Sequence, residues 1–549
     1  MAKTEKTSIL LKDKNLEDVA TKDSAPLLSE SKNLSDLEQS EEEIYQTVTI
    51  DYIMNKQRFG LFHCLIIIVC GLCYSGHAIF YQAIGFITIT ASDLVINADN
   101  HFWLSFSFTI GIIFGSGLLG SLGDVFGRRR IILASLAINL ITTLVSVFAY
   151  NYTMLVVLTA INGLGFSGII SNVHSYAIEF FSRDYRGWAL ACVTSISILG
   201  SIFSTVLAAL TLNYRFHVPV GQIYFTSWRL YLILCSLPIL AGFCSLLFMP
   251  NSLRHTLRKG NTEKIVQISE KITRINSFVK RGSRSDNYKY ITLSHSYLAK
   301  THINGTNLTQ EYQITHKLCD HSRKFKETPW HKRAWLLLIV WFGYSFTAHG
   351  LLMWLPSLLT YYVNGNTCRS VNHASKNLPW NRNYMIIFNG SEYLDNRDSK
   401  LSSALTRIML SNILSIPLTL SCILLVGRNG RKGLFCTISI GCGIIVLLIW
   451  LIDSSMSAMI LVCFFVAFSM NGWIPFTVWT TELFPTEIRS TALGIFNAIG
   501  HIGTLCGTIV FPLLFYIDCT ASLLLYCIAL LVAGIVAIYI QDTVNVDIG

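Results

Sequence analysis

Charge is what this sequence has least of. Only 13% of its 549 residues are Asp, Glu, Lys or Arg, against 52% hydrophobic ones, whereas a soluble domain carries roughly 25% charged residues. An ordinary soluble protein is excluded. No charged residue falls in the middle of any long apolar run. Charges placed there are costly and usually functional. Their absence argues against a carboxylate proton relay, and against a strongly charged solute held by one opposite charge. The 15 cysteines have no metal-ligand spacing and mostly sit in apolar runs, where they serve as small apolar residues. With no metal cluster, phosphate-binding loop or nucleophile–base set, no cofactor is expected, and an enzyme is the remotest reading.

What the chain does have is apolar length. Runs of about 20 residues cross ~30 Å of hydrocarbon as helix, and they read at 61–86, 102–122, 131–149, 153–176, 188–212 and 229–249. Six more follow at 334–360, 403–426, 433–452, 457–479, 491–516 and 520–541. The expectation is an all-α membrane protein of twelve transmembrane helices. Its parts are a flexible cytoplasmic tail (1–58), a six-helix half (59–250), a cytoplasmic linker (251–333), a second half (334–541) and a short tail (542–549). The second half includes an outer loop at 361–402. Polar residues and Lys56 and Arg58 precede the first run, with no small-residue cleavage site, so it reads as a retained helix.

Basic residues set the orientation, because short loops rich in Lys and Arg stay cytoplasmic. Arg128 to Arg130, Arg183, Arg186, Arg428, Arg431, Lys432 and Arg489 all fall on one side, which places both termini in the cytoplasm. The net charge of +10 comes from the linker, where residues 250–333 hold 17 Lys/Arg against 6 Asp/Glu. Such a loop faces anionic lipid, and nucleic acid is not an expected partner. Residues 261–275 within it are helix-compatible and basic.

The punctuation of the first half recurs in the second. Gly127-Arg128 returns as Gly430-Arg431, and Glu179…Arg186 returns as Glu482…Arg489, each offset by 303 residues. The chain is therefore two copies of one unit. Gly120 and Gly127 permit a tight turn and close helix contact. Asp124 can accept a charge-assisted hydrogen bond from the helix end or from an arginine across the bundle. The second copy has Gly427 in place of the acid, so the two latches should differ in strength. Glu179 with Arg186, and Glu482 with Arg489, place a carboxylate and an arginine where spans meet the headgroups, and such groups need partners.

Gly120-Ser-Leu-Gly-Asp124-Val-Phe-Gly127-Arg128-Arg129-Arg130 resembles the signature loop of the major facilitator superfamily, with Val125 where a basic residue is usual. Glu482-Leu-Phe-Pro-Thr-Glu-Ile-Arg489, Ser227-Trp228-Arg229, Asp453 to Met459 and Asn471-Gly-Trp473 are together similar to the synaptic vesicle glycoprotein 2 family, over about 59–541. The resemblance implies the major facilitator fold, with two pseudo-symmetric six-helix halves rocking about a midplane site to move a small organic solute, with or without a coupling ion. It equally allows a non-transporting vesicle glycoprotein acting in trafficking or protein interaction. His77, Phe80 and Thr159 depart from the charged residues of those relatives, and Pro250-Asn251-Ser252-Leu253-Arg254 departs from their Pro-Glu-Ser-Pro-Arg.

In that fold the first, fourth, seventh and tenth spans line the path. Their polar and aromatic residues nominate Tyr74, His77, Tyr81, Gln82, Asn162, Asn172, Trp341, Tyr344, His349, Trp354, Asn471, Trp473 and Trp479, with His501 from the eleventh. The vesicle-glycoprotein resemblance implies a ligand pocket at Trp473. Asn389-Gly-Ser is the expected glycosylation site, Cys368 and Cys519 are the two cysteines in outer loops, and Asp23 with Leu27-Leu28 fits an acidic dileucine signal read by clathrin adaptors. That signal implies vesicle or endosomal membranes in addition to the plasma membrane.

Overall fold

The computed structural model describes residues 59–94, 102–214, 216–220, 223–252, 256, 262–277, 330–354, 397–427, 430–484 and 488–540. Twelve helices among them are long and apolar enough to cross a membrane. We number them α1 (Leu61–Thr90), α2 (Phe102–Phe126), α3 (Arg128–Ser146), α4 (Tyr152–Ile178), α5 (Arg183–Thr211), α6 (Ser227–Leu247), α7 (Trp330–Met353), α8 (Arg397–Leu425), α9 (Arg431–Leu451), α10 (Ser455–Leu483), α11 (Arg489–Ile517) and α12 (Cys519–Ile538). The chain is a multi-pass integral membrane protein. Several helices run past the apolar stretches that announce them, because helical hydrogen bonding continues into the polar headgroup zone. The loop expected over 361–402 accordingly ends early, with α8 starting at Arg397, and α7 begins at Trp330, inside the expected linker. A two-stranded hairpin, β1 (His217–Val220) with β2 (Ile223–Thr226), leads into α6.

Gly127 is the whole connection between α2 and α3, at φ 99°, and Gly430 precedes α9 at φ 79°. These are the two described glycines with positive φ, and they sit 303 residues apart. Any side chain at such angles is strained, so the repeat seen in the sequence is a repeat of backbone geometry. At the other end of the first half, Arg229 of α6 is buried and pairs with Asp93 at 2.9 Å, donates to the carbonyl of Val147, and lies beside Trp228, whose Nε1 donates to Asp93 at 2.7 Å. This cluster ties α6 to the segment after α1 and to the end of α3. Pro238, Pro417 and Pro475 lie inside helices, as neighbouring helices in a membrane allow.

The described residues fall into two compact units. The smaller takes Glu179–Arg186 with the described parts of Met1–His63 and Asn251–Thr306. Within it a helix, Thr262–Ser277, buries Ile265 and Ile272, and Asn276 Oδ1 accepts from the amide of Phe62 at 2.9 Å. The helix expected over 261–275 is this one. The larger unit holds Cys64–Ile178, Gly187–Pro250 and the described part of Asn307–Gly549. Gly127→Ala and Gly430→Ala should each cost about 1–3 kcal/mol, read as a lower melting temperature of the purified protein. An unchanged melting temperature would contradict the backbone argument.

Candidate functional site

At the basic end of the larger unit, the loop of the first copy grips the second half. Asp124 and Arg128 form a buried ion pair at 3.1 Å. Asp124 Oδ2 also accepts from the backbone amide of Thr491 at 2.8 Å and from its hydroxyl at 2.9 Å. Arg128 donates from Nε to Ser490 Oγ at 3.0 Å and from Nη1 to the carbonyl of Ser175 at 2.9 Å. Both charges thus take part of their hydrogen bonding from α11. Gly120 allows that approach, since a Cβ there would overlap the Ser490 carbonyl. Arg129 points elsewhere and donates to the carbonyls of Leu246 and Leu247 at the end of α6.

The second copy makes the equivalent approach without the hydrogen bonds. Subtracting the repeat, Ser490 corresponds to Gly187, and the Arg431 guanidinium lies against Gly187, which has no side-chain acceptor. Lacking an acid at 427, Arg431 turns to Glu482 of its own half, with Nη2 donating to Oε1 at 3.2 Å and Nε 3.1 Å from Oε2. The second contact is a close charge pair and not an aligned hydrogen bond. Arg489 donates to the carbonyl of Phe484 at 3.2 Å. In the smaller unit Arg186 repeats this with Phe181 at 3.1 Å, and Glu179 accepts from Ser252. Ser252 belongs to the segment where the expected family pattern is otherwise altered.

Deeper in the larger unit, rings from both halves meet. His349 stacks on Trp473 with centroids 4.6 Å apart and planes at 13°. His501 lies 6.1 Å from His349 and 6.1 Å from His77. Tyr81 packs 5.3 Å from His349 and donates to its carbonyl at 3.2 Å. Trp341 packs 5.5 Å from Trp473, Tyr344 lies 5.2 Å from it, and Tyr74 stands edge-on to His174 at 4.7 Å. Phe108, Phe166, Phe476 and His174 complete the surroundings. Sequence alone does not nominate these four. Three are plain apolar residues with nothing to separate them from packing, and His174 shows itself only through its neighbours. Among the described residues no group of His, Cys, Asp and Glu could hold a metal ion.

Other nominated residues serve the scaffold. Asn471 is fully engaged, donating to the carbonyls of Ser415 and Ala467 and accepting from Thr419 at 2.7 Å, so that it brackets α8 against α10. Asn162 bonds Thr143 of α3 at 2.8 Å, and Asn172 bonds the Leu119 carbonyl of α2 at 3.0 Å. Gln82 accepts from Thr205, whose hydroxyl accepts from Asn412 of the other half. Trp354 donates to the carbonyl of Thr508, and Trp479 is buried against Phe435 and Phe476. Asn151 binds the amide of Met154 at the start of α4. Cys519 is disulfide-bonded. Cys368, Asn389, Asp23, Leu27 and Leu28 lie outside the described residues. Asn471→Ala should lower stability by about 1–3 kcal/mol by stranding its partners while leaving solute preference unchanged. Altered preference in uptake competition would place Asn471 on the solute instead.

A family model for the Major Facilitator Superfamily matches residues 64–368, more than half of the chain, and one for Sugar (and other) transporter matches residues 388–546. Synaptic vesicle glycoprotein 2C of Mus musculus is 23% identical over 598 residues, covering 92% of this chain and 81% of that protein. Synaptic vesicle glycoprotein 2B of Homo sapiens is 26% identical over 337 residues, covering 59% of this chain and 49% of that protein, so the match spans about half its length. Among solved structures, the proton:xylose symporter XylE bound to 6-bromo-6-deoxy-D-glucose has a TM-score of 0.59 at 17% identity, covering 90% of this chain and 96% of that one. The inward-open XylE from E. coli has a TM-score of 0.52 at 15% identity, covering 88% and 96%. At that identity these structures are likenesses of fold. Twelve spans in two repeated sets, with a family model matched over more than half the length, make this chain a member of the major facilitator superfamily.

Proposed function

We propose that this chain is a secondary transporter moving a small organic solute by alternating access, its two six-helix halves acting as domains that rock about the ring cluster. The observation that carries the reading is the bonding of Asp124 and Arg128 to Ser490 and Thr491. A buried ion pair whose leftover valences are filled by the opposite half holds only in one arrangement, because separation leaves charges to be resolvated. The basic end is the cytoplasmic one, and there Gly120, Asp124, Gly127, Arg128, Arg129, Gly430, Arg431, Glu482 and Arg489 of the larger unit form the gate; Glu179 and Arg186, the repeat counterparts of Glu482 and Arg489, act as gate residues within the smaller unit. Tyr81 with His349 inside the cluster, and Thr205 with Asn412, also bridge the halves. Bridges at the gate and away from it support an occluded state.

Around this core, Asn389 carries the glycan, Cys368 closes the outer loop on Cys519, and Asp23, Leu27 and Leu28 direct the protein to vesicles through clathrin adaptors. The names of the vesicle-glycoprotein relatives support that destination. They also keep a second reading in view, a non-transporting glycoprotein that uses the same scaffold in trafficking.

Uptake into proteoliposomes separates the two. With a panel of organic ions, sugars and nucleotides, the wild type should accumulate at least one solute. Asp124→Asn, which weakens charge-assisted bonds, should lower the rate on the order of tenfold or more, and Trp473→Ala should do the same from the cluster. A folded, glycosylated protein that takes up nothing would establish the trafficking reading. Asn389→Gln should abolish the glycosidase-sensitive shift in gel mobility, and a shift that persists would move the glycan elsewhere.

A further inference from the structure

We infer that the ring cluster binds an aromatic carboxylate: a flat ring bearing hydrogen-bond acceptors and no donors. This rests on the transporter reading and names the chemistry of its solute. Four buried nitrogens in the cluster have no hydrogen-bond partner, namely Nε2 of His77, Nδ1 of His501 and Nε1 of Trp341 and Trp473. They come from α1, α11, α7 and α10, so both halves supply them. His501 and Trp341 are at least nine-tenths buried. Buried polar groups are rarely left unpaired, and those that are require an explanation.

The explanation follows from what these atoms can do. An indole N–H donates and never accepts, and each imidazole can present an N–H. No nearby side-chain acceptor reaches the two indole N–H groups: Asn471 and Gln82 are bonded to neighbouring helices, and the hydroxyls of Tyr81 and Tyr344 are turned to the carbonyls of His349 and Ser469. What remains between aromatic faces is rich in donors: two indole N–H groups that can only donate, and one N–H on each imidazole beside one acceptor nitrogen. A sugar brings hydroxyls that donate as often as they accept, more donors than these few acceptors can take, and no flat face. An organic cation could rest on the rings, but no carboxylate faces it among the cluster residues and the indole N–H groups would stay unpaired. A carboxylate offers acceptor lone pairs to the indole N–H groups and to an imidazole N–H. Its ring can stack on the aromatic faces that His349 and Trp473 supply.

The test is isothermal titration of the purified full-length protein in micelles with benzoate, 2-naphthoate, benzyltrimethylammonium and D-glucose. Saturable binding of the carboxylates alone is expected. Trp473→Phe keeps the ring and removes the N–H, and should weaken that binding roughly tenfold or more. Trp341→Phe should do likewise, with melting temperatures showing that both variants fold. Binding of the cation or the sugar in place of the carboxylates would overturn the inference, as would equal affinity in the wild type and both variants. A protein that takes up some other solute yet binds neither carboxylate would overturn this chemistry and leave the transporter reading standing. Carboxylate binding that depends on Trp473 in a protein with no uptake would support the site and overturn transport.

Discussion

Asp124 and Arg128 bury opposite charges at the edge of the hydrocarbon, where each alone would be intolerable. Pairing with one another removes only part of the cost, because a carboxylate and a guanidinium have more hydrogen-bonding capacity than a single contact uses. The rest is met by Thr491, Ser490 and Ser175, two of them on α11. Much else at the basic end follows from this. Gly120 is bare so that α11 can come close, and Gly127 takes a backbone angle that sets Arg128 one helical turn from Asp124. The duplicated copy shows what happens without the acid. Arg431 reaches the same place in the repeat but is held by Glu482 within its own half. The seam between halves is therefore symmetric in position and asymmetric in bonding.

The ring cluster depends on a different constraint. Inside a membrane, apolar burial gives helices little reason to choose one another, and specific contacts fall to small residues and interhelical hydrogen bonds. Asn162, Asn172 and Asn471 supply those bonds between neighbouring helices of each half. The amide N–H groups of Asn162 and Asn172, and the whole side-chain amide of Asn471, go into building the walls. The ring nitrogens left over then define what the interior can recognise.

The sequence announces the spans through apolar length and the repeat through its 303-residue spacing; the first is visible because lipid demands unbroken apolar runs, the second because its charged residues are rare in a chain of membrane helices. It also nominates His77, His349 and Trp473, and it expects Asp124 to bond the helix end or an arginine across the bundle, whereas the partner is Arg128, four residues on, and what comes from across the bundle is the hydroxyl and amide of Thr491. Ser490 and Thr491 escape it, since a hydroxyl at a helix start has no signature that distinguishes a partner of Asp124 from an ordinary headgroup-zone residue. The amides mislead for the opposite reason: a buried Asn looks the same in sequence whether it holds a helix or a solute. Phe108 and Phe166 are indistinguishable from packing until the fold brings them to His77.

The central claim is the asymmetry of the latch, and distance distributions between spin labels on the basic ends of α3 and α11 test it most directly. Neutralising Asp124 to Asn should populate a longer distance, while neutralising Glu482 to Gln, whose partner Arg431 makes no hydrogen bond to Gly187, should leave the distribution much closer to wild type. Equal opening by both substitutions, or opening by the Glu482 variant alone, would contradict the account.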